Sequence, residues 1–130
     1  MTPLLEVRDL AVSFATDEGI VRAVDGVSFA LAPGRRLAIV GESGCGKSVT
    51  ALAIMRLLAP NARAEGTVRL EGEDVLAASD SRMRQLRGGK IAMIFQEPMT
   101  SLNPAFTVGD QIVEAIREHS DASPSEARAQ

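Results

Sequence analysis

At 130 residues and 13.7 kDa the chain has room for one domain and no more. Apolar residues make up 45% and charged residues 24%, which sets it apart from disordered sequences. A net charge of -3, a pI near 5.2 and four Phe with no Trp or Tyr argue against a nucleic-acid binder, which needs a basic face or a platform of rings.

Met1–Leu10 already carries Glu6, Arg8 and Asp9, so no secretory signal is visible. Leu4–Phe14 alternates apolar and polar residues in two runs, Leu5 and Val7, then Leu10, Val12 and Phe14. That pattern predicts a strand wetted on one face. Ile20–Leu31 resumes the alternation after a polar turn and predicts a second strand, antiparallel to the first, which Pro33-Gly34 ends. Arg36–Val40 is a short continuous apolar run, as expected of a strand buried on both faces. A glycine-rich loop follows at 41–48, then a helix over Val49–Leu58 that stops before Pro60. Thr67–Leu70 predicts a short strand and Ser79–Leu86 a surface helix closed by Gly88-Gly89. Ile91–Phe95 is a second continuous apolar run, expected as a strand ending at Gln96-Glu97-Pro98. Thr107 opens a further helix with capping-box spacing to Asp110, and Val108, Ile112, Ala115, Ile116 and His119 form its stripe. Ser123-Pro124-Ser125-Glu126 reads as one more helix start, four residues before Gln130. So late a helix start favours a chain cut from a longer one.

The loop Gly41-Glu42-Ser43-Gly44-Cys45-Gly46-Lys47-Ser48 fits G-x-x-x-x-G-K-[ST] without a mismatch. A chain of this length meets that pattern by accident on the order of once in two hundred times. Each residue type has a reason. Glycines let successive N–H groups turn inward around phosphate oxygens, and the helix that follows adds the positive end of its dipole. The Lys47 ammonium is expected at the β- and γ-phosphates of a nucleotide, and the Ser48 hydroxyl at Mg²⁺. The cradle residues are thus Gly41, Glu42, Ser43, Gly44, Cys45, Gly46, Lys47 and Ser48, with Val49 adjoining them. Cys45 stands in an electropositive setting that makes thiols nucleophilic, so alkylation there is expected to block nucleotide binding.

A hydrolase needs more: a strand-end carboxylate for the metal and a group that orients water. Only Ile91–Phe95 offers a second strand end. It delivers Gln96, a poorer anchor for a hard cation than a carboxylate. No Asn-Lys-x-Asp motif supports a GTPase, and Glu97, Glu114 and Glu118 do not read as a general base.

GESGCGKS followed by LRGGKIAMIFQEPMTSLNP resembles the ATP-binding subunits of ABC transporters, in the branch that imports dipeptides, oligopeptides and nickel. The resemblance runs from about Leu4 to His119. It implies an α/β fold, a P-loop NTPase of ABC type with an N-terminal antiparallel β subdomain and an incomplete parallel-sheet core. The chain stops before the family's signature motif, its Walker B Asp with the catalytic Glu, and its switch histidine. His119 reads as an ordinary helix residue. Under the resemblance, residues 1–130 are part of one ATP-binding domain, with the phosphate loop at 41–48, a Q-loop region at 95–104 and the start of a helical subdomain at 107–130. Gln96 becomes the Q-loop glutamine, acting in catalysis and at the metal together with Ser48; otherwise it is a turn residue. Phe14 aligns with the aromatic that stacks on adenine; otherwise it is a strand-end core residue. Gly34-Arg35-Arg36 departs from the family's usual approach to the phosphate-loop strand, with no evident chemical meaning. The implied cofactors are ATP and Mg²⁺. The implied partners are transmembrane permease subunits and a second ATP-binding subunit, at the cytoplasmic face of the membrane. The alternatives are a non-transport ABC-type ATPase or a non-catalytic nucleotide-binding module. In that family the strands between the phosphate-loop and Q-loop strands come later in the chain. Arg36–Val40 and Ile91–Phe95 are therefore expected to leave ladder groups unpaired, and the chain to be marginally stable.

Overall fold

The structure, a computed structural model, describes residues 2–130 and divides into two compact units, one ending at Met83 and the other spanning Arg84–Gln130. In the first, β1 (Leu5–Thr16), β2 (Gly19–Leu31), β3 (Ala62–Leu70) and β4 (Glu73–Asp74) form an antiparallel sheet in the order β2-β1-β3-β4. Helix α1 (Lys47–Ile54) packs against β1 and β2. Val7, Leu10, Val12, Val24, Val68 and Leu70 bury their side chains in the sheet core, as do Ala53 and Ile54 of α1. Burial of each larger one is worth about 1.5–3 kcal/mol.

The first two strands stand where alternation places them. The change of parity between Val7 and Leu10 is a β-bulge at Arg8 and Asp9, where both ladders of β1 shift register. Asp9 has φ +49 and its N–H donates to Ser28 Oγ at 2.8 Å. Opposite it stands Gly66 with φ +102, where a Cβ would lie 2.5 Å from the Asp9 carbonyl oxygen and 2.6 Å from that of Arg8. Only glycine fits there. The bulge lets Val7, Leu10 and Val12 all reach the core despite their odd spacing.

Other boundaries move. β3 starts at Ala62, well before Thr67, because Ala62–Glu65 pairs with Ala11–Phe14 although small and charged residues give little strand signal. The two-residue β4 has no counterpart in the sequence pattern. Helix α1 ends at Ile54 rather than Leu58, since Arg56 turns to φ +51, its guanidinium bonded to the Ala78 carbonyl and Asp80.

The two continuous apolar runs correct the expectation of buried strands. Residues 36–40 lie in no strand, with Leu37, Ile39 and Val40 exposed. Within 91–95 only Ile91 forms a bridge, to Arg87, and Ile94 is 98% exposed. No described strand runs beside either segment, so their backbone groups find no ladder.

Helix α2 (Asp80–Gly89) begins before the division at Met83, and its helical conformation stops before Arg87; the helices after it belong to the second unit. Helix α3 (Val108–Glu118) begins as expected, with Thr107 Oγ1 accepting from the Asp110 N–H at 3.2 Å. Helix α4 (Pro124–Ala129) carries a full capping box: Ser123 Oγ accepts from Glu126 N, and Glu126 Oε2 from Ser123 N. It lies against α3, buries Ala127 and pairs Arg128 with Asp110.

Candidate functional site

The glycine-rich loop is fixed by what surrounds its glycines. Gly46 is the N-cap of α1 at φ +94, and a Cβ there would stand 2.6 Å from the Ala23 carbonyl oxygen and 3.3 Å from Val24 Cγ2. The loop therefore sits directly on β2, closer than any side chain would allow. The Gly46 carbonyl accepts from the Thr50 N–H at 2.9 Å and from the buried Thr50 hydroxyl at 2.8 Å, which locks the loop to the first turn of α1. At the other end, a Cβ on Gly41 would meet Cys45 Sγ at 2.5 Å, so the loop closes on itself. Glu42 accepts from the Cys45 N–H at 3.3 Å, and Ser43-Gly44 makes the turn between them.

Lys47 folds back into this ring. Its Nζ donates to the Gly41 carbonyl at 2.5 Å and the Glu42 carbonyl at 2.7 Å, and it stands 3.4 Å from Cys45 Sγ. An ammonium and the N-terminus of α1 thus face one concave stretch of backbone, and the first turn of α1 carries no acidic residue. Both features favour an anion. Ser48 is exposed and its hydroxyl bonds to no described group, while no cluster of three His, Cys, Asp or Glu among the described residues could hold a metal. That donor set suits a hard cation arriving with phosphate oxygens rather than one caged by protein carboxylates. Val49 follows on α1, half-buried.

Phe14 lies near the end of β1, half-buried, paired with Val21 and Ala62. Its ladder partner is two residues from Ala23, against which Gly46 rests. Phe14 and the loop therefore share one corner of the first unit. Gln96 belongs to the second unit, exposed between Phe95 and Glu97, and Gln96 bonds to no described group. Sequence reasoning missed Gln111, whose carboxamide reaches the backbone of Asn103 and Phe106. Asn103-Pro104 is a pair that favours a turn there, but nothing in the spacing points to the side chain that holds it.

A family model described as "ABC transporter" matches residues 24–130, most of the chain and the whole of the loop. The chain belongs to the ABC transporter family. A Bacillus subtilis dipeptide transport ATP-binding protein, DppD, is 51% identical over 98% of this chain and 39% of its own length. The Mycobacterium tuberculosis oligopeptide transport ATP-binding protein OppD is 51% identical over 92% of this chain and 19% of its own. The chain thus spans about two fifths or less of the length of these curated relatives. A solved structure described as the dimeric structure of MJ0796, a bacterial ABC transporter cassette, superposes with a TM-score of 0.80 at 25% identity. It covers 96% of this chain and 53% of that one. The ABC cassette fold is thereby shown, with its antiparallel sheet and helices. Nucleotide binding goes with that family, and no described helix is long and apolar enough to cross a membrane.

Proposed function

We propose that this chain supplies the nucleotide grip of an ATP-binding subunit that energises peptide import. The observation that carries the reading is the Lys47 ammonium held at the Gly41 and Glu42 carbonyls, over a loop in which Gly41 and Gly46 leave no room for a Cβ. A triphosphate entering the loop exchanges those two carbonyl bonds for stronger bonds from Nζ to its anionic β- and γ-oxygens, where both partners are charged. The backbone N–H groups of 43–48 and the N-terminus of α1 orient the same oxygens. The Ser48 hydroxyl would help hold Mg²⁺, which would supply positive charge against the terminal phosphates. Phe14 offers its ring to the adenine.

Gln96 is assigned to sensing the metal and the γ-phosphate, and to relaying their state to the membrane partner. The domain assignment follows: one ATP-binding domain over 1–130, with the loop at 41–48, the glutamine segment at 95–104 and a helical region from 107. Peptide as the cargo rests on the dipeptide and oligopeptide transport named for relatives at 51% identity. Transmembrane permeases, a second ATP-binding subunit and a peripheral place on the cytoplasmic face complete the reading. The test uses the full-length subunit assembled with its permeases in vesicles. Lys47→Ala is expected to lower ATP turnover and peptide uptake by about 100-fold or more. Unchanged turnover in that variant overturns the assignment.

A further inference from the structure

We propose that Gln111 is a positioning residue: its carboxamide fastens the turn that follows Gln96 to α3, so that the Gln96 segment follows that helix. Gln111 Oε1 accepts from the Asn103 N–H at 2.8 Å. Its Nε2 donates to the Asn103 carbonyl at 2.9 Å and the Phe106 carbonyl at 3.1 Å, with the Thr107 carbonyl at 3.5 Å. One side chain therefore satisfies both backbone groups of Asn103, as a neighbouring strand would.

The segment between Gln96 and that clamp is itself a chain of short-range bonds. Glu97 accepts from Thr100 Oγ1 at 3.2 Å and from Ser101 Oγ at 3.4 Å, and the Ser101 N–H donates to the Pro98 carbonyl at 3.2 Å. Asn103 Oδ1 then takes the Ala105 N–H at 2.9 Å. Apolar burial assists little: every residue from Ile94 to Asp110 is exposed, Met99 by 86%, Phe106 by 63% and Leu102 by 48%. Attachment of this segment to α3 therefore falls mainly on hydrogen bonds, and these converge on one half-buried glutamine. Loss of the clamp widens the set of places Gln96 occupies. It lowers the fraction of molecules competent for turnover without touching the loop at 41–48.

The kinetic half of the test rests on the nucleotide reading above; the structural half does not. Wild type, Gln111→Met (equal in length, without polar atoms) and Gln111→Glu (an acceptor without donors) are compared in the full-length subunit with its permeases. In Gln111→Met, amide exchange at Asn103 and Ala105 is expected to quicken about tenfold while Val7 and Val68 keep wild-type protection. The kcat for ATP is expected to fall about tenfold with KM unchanged within about twofold. Gln111→Glu is expected to keep protection at Asn103 and to give an intermediate kcat. Unchanged exchange at Asn103 in Gln111→Met, or a loss carried by KM, overturns the proposal. Should Lys47→Ala retain full turnover, the nucleotide reading falls while the exchange result at Asn103 still decides the role of Gln111.

Discussion

Cys45 is the residue that reports most simply on the loop. Its Sγ stands 3.4 Å from Lys47 Nζ and closes the ring at Gly41, where an added Cβ would lie only 2.5 Å away. A group added to that sulfur must occupy the ring or displace the ammonium. Alkylation of the exposed Cys45 is therefore expected to lower ATP affinity by about tenfold or more, and Mg-ATP to slow the labelling. Equal labelling rates with and without nucleotide, followed by mass spectrometry, contradict this. At this scale the glycine positions of the loop were legible, because the motif fixes them at a strict spacing and the close contacts at Gly41 and Gly46 require them. Gln111 was not. Its partners are main-chain atoms five and eight residues away, and such pairings follow from the path of the turn, not from residue types.

Among the elements, β1 shows how a local irregularity can be written in the sequence yet go unread. The switch of parity between Val7 and Leu10 is visible as a pattern, but the bulge that resolves it depends on Gly66, far along the chain. Gly66→Ala forces a Cβ against two carbonyl oxygens at positive φ. It is expected to cost about 1–3 kcal/mol in a denaturant melt. A melt within about 0.5 kcal/mol of wild type speaks against the bulge as a constraint. Helix α4, by contrast, was legible to the residue, since its capping box is local. Its attachment carries a pH signature. The Thr107 hydroxyl, and after it Arg128, lowers the carboxyl of Asp110, while the Ser123 backbone N–H and hydroxyl lower that of Glu126. A depressed carboxyl contributes stability above its ordinary value and loses it as pH falls through the lowered one. Docking of α4 should therefore be constant at neutral pH and weaken only below the ordinary values of 3.8 and 4.5. Amide protection at Ala127 followed by NMR from pH 7 downward checks the sign. Loss between pH 7 and 5 contradicts it.

For the whole molecule, the misread segments are the instructive ones. Arg36–Val40 and Ile91–Phe95 have the composition of buried strands, and composition states what a segment is suited to pack against. Whether a neighbouring strand is there to meet it is a matter of topology. Here none of the described strands is, and Ile39, Val40, Ile94 and Phe95 stand in solvent. The chain is accordingly expected to bind a hydrophobic dye at neutral pH and to melt without a sharp transition. A cooperative melt at an ordinary mesophile temperature, with no dye binding, counts against that. The central claim remains the grip of 41–48 on terminal phosphates, and equilibrium binding of Mg-ATP to the full-length subunit by titration calorimetry measures it most directly. Wild type is expected to bind, and Lys47→Ala to lose at least about tenfold in affinity for ATP while binding adenosine as wild type does. Equal ATP affinity in the two proteins contradicts it.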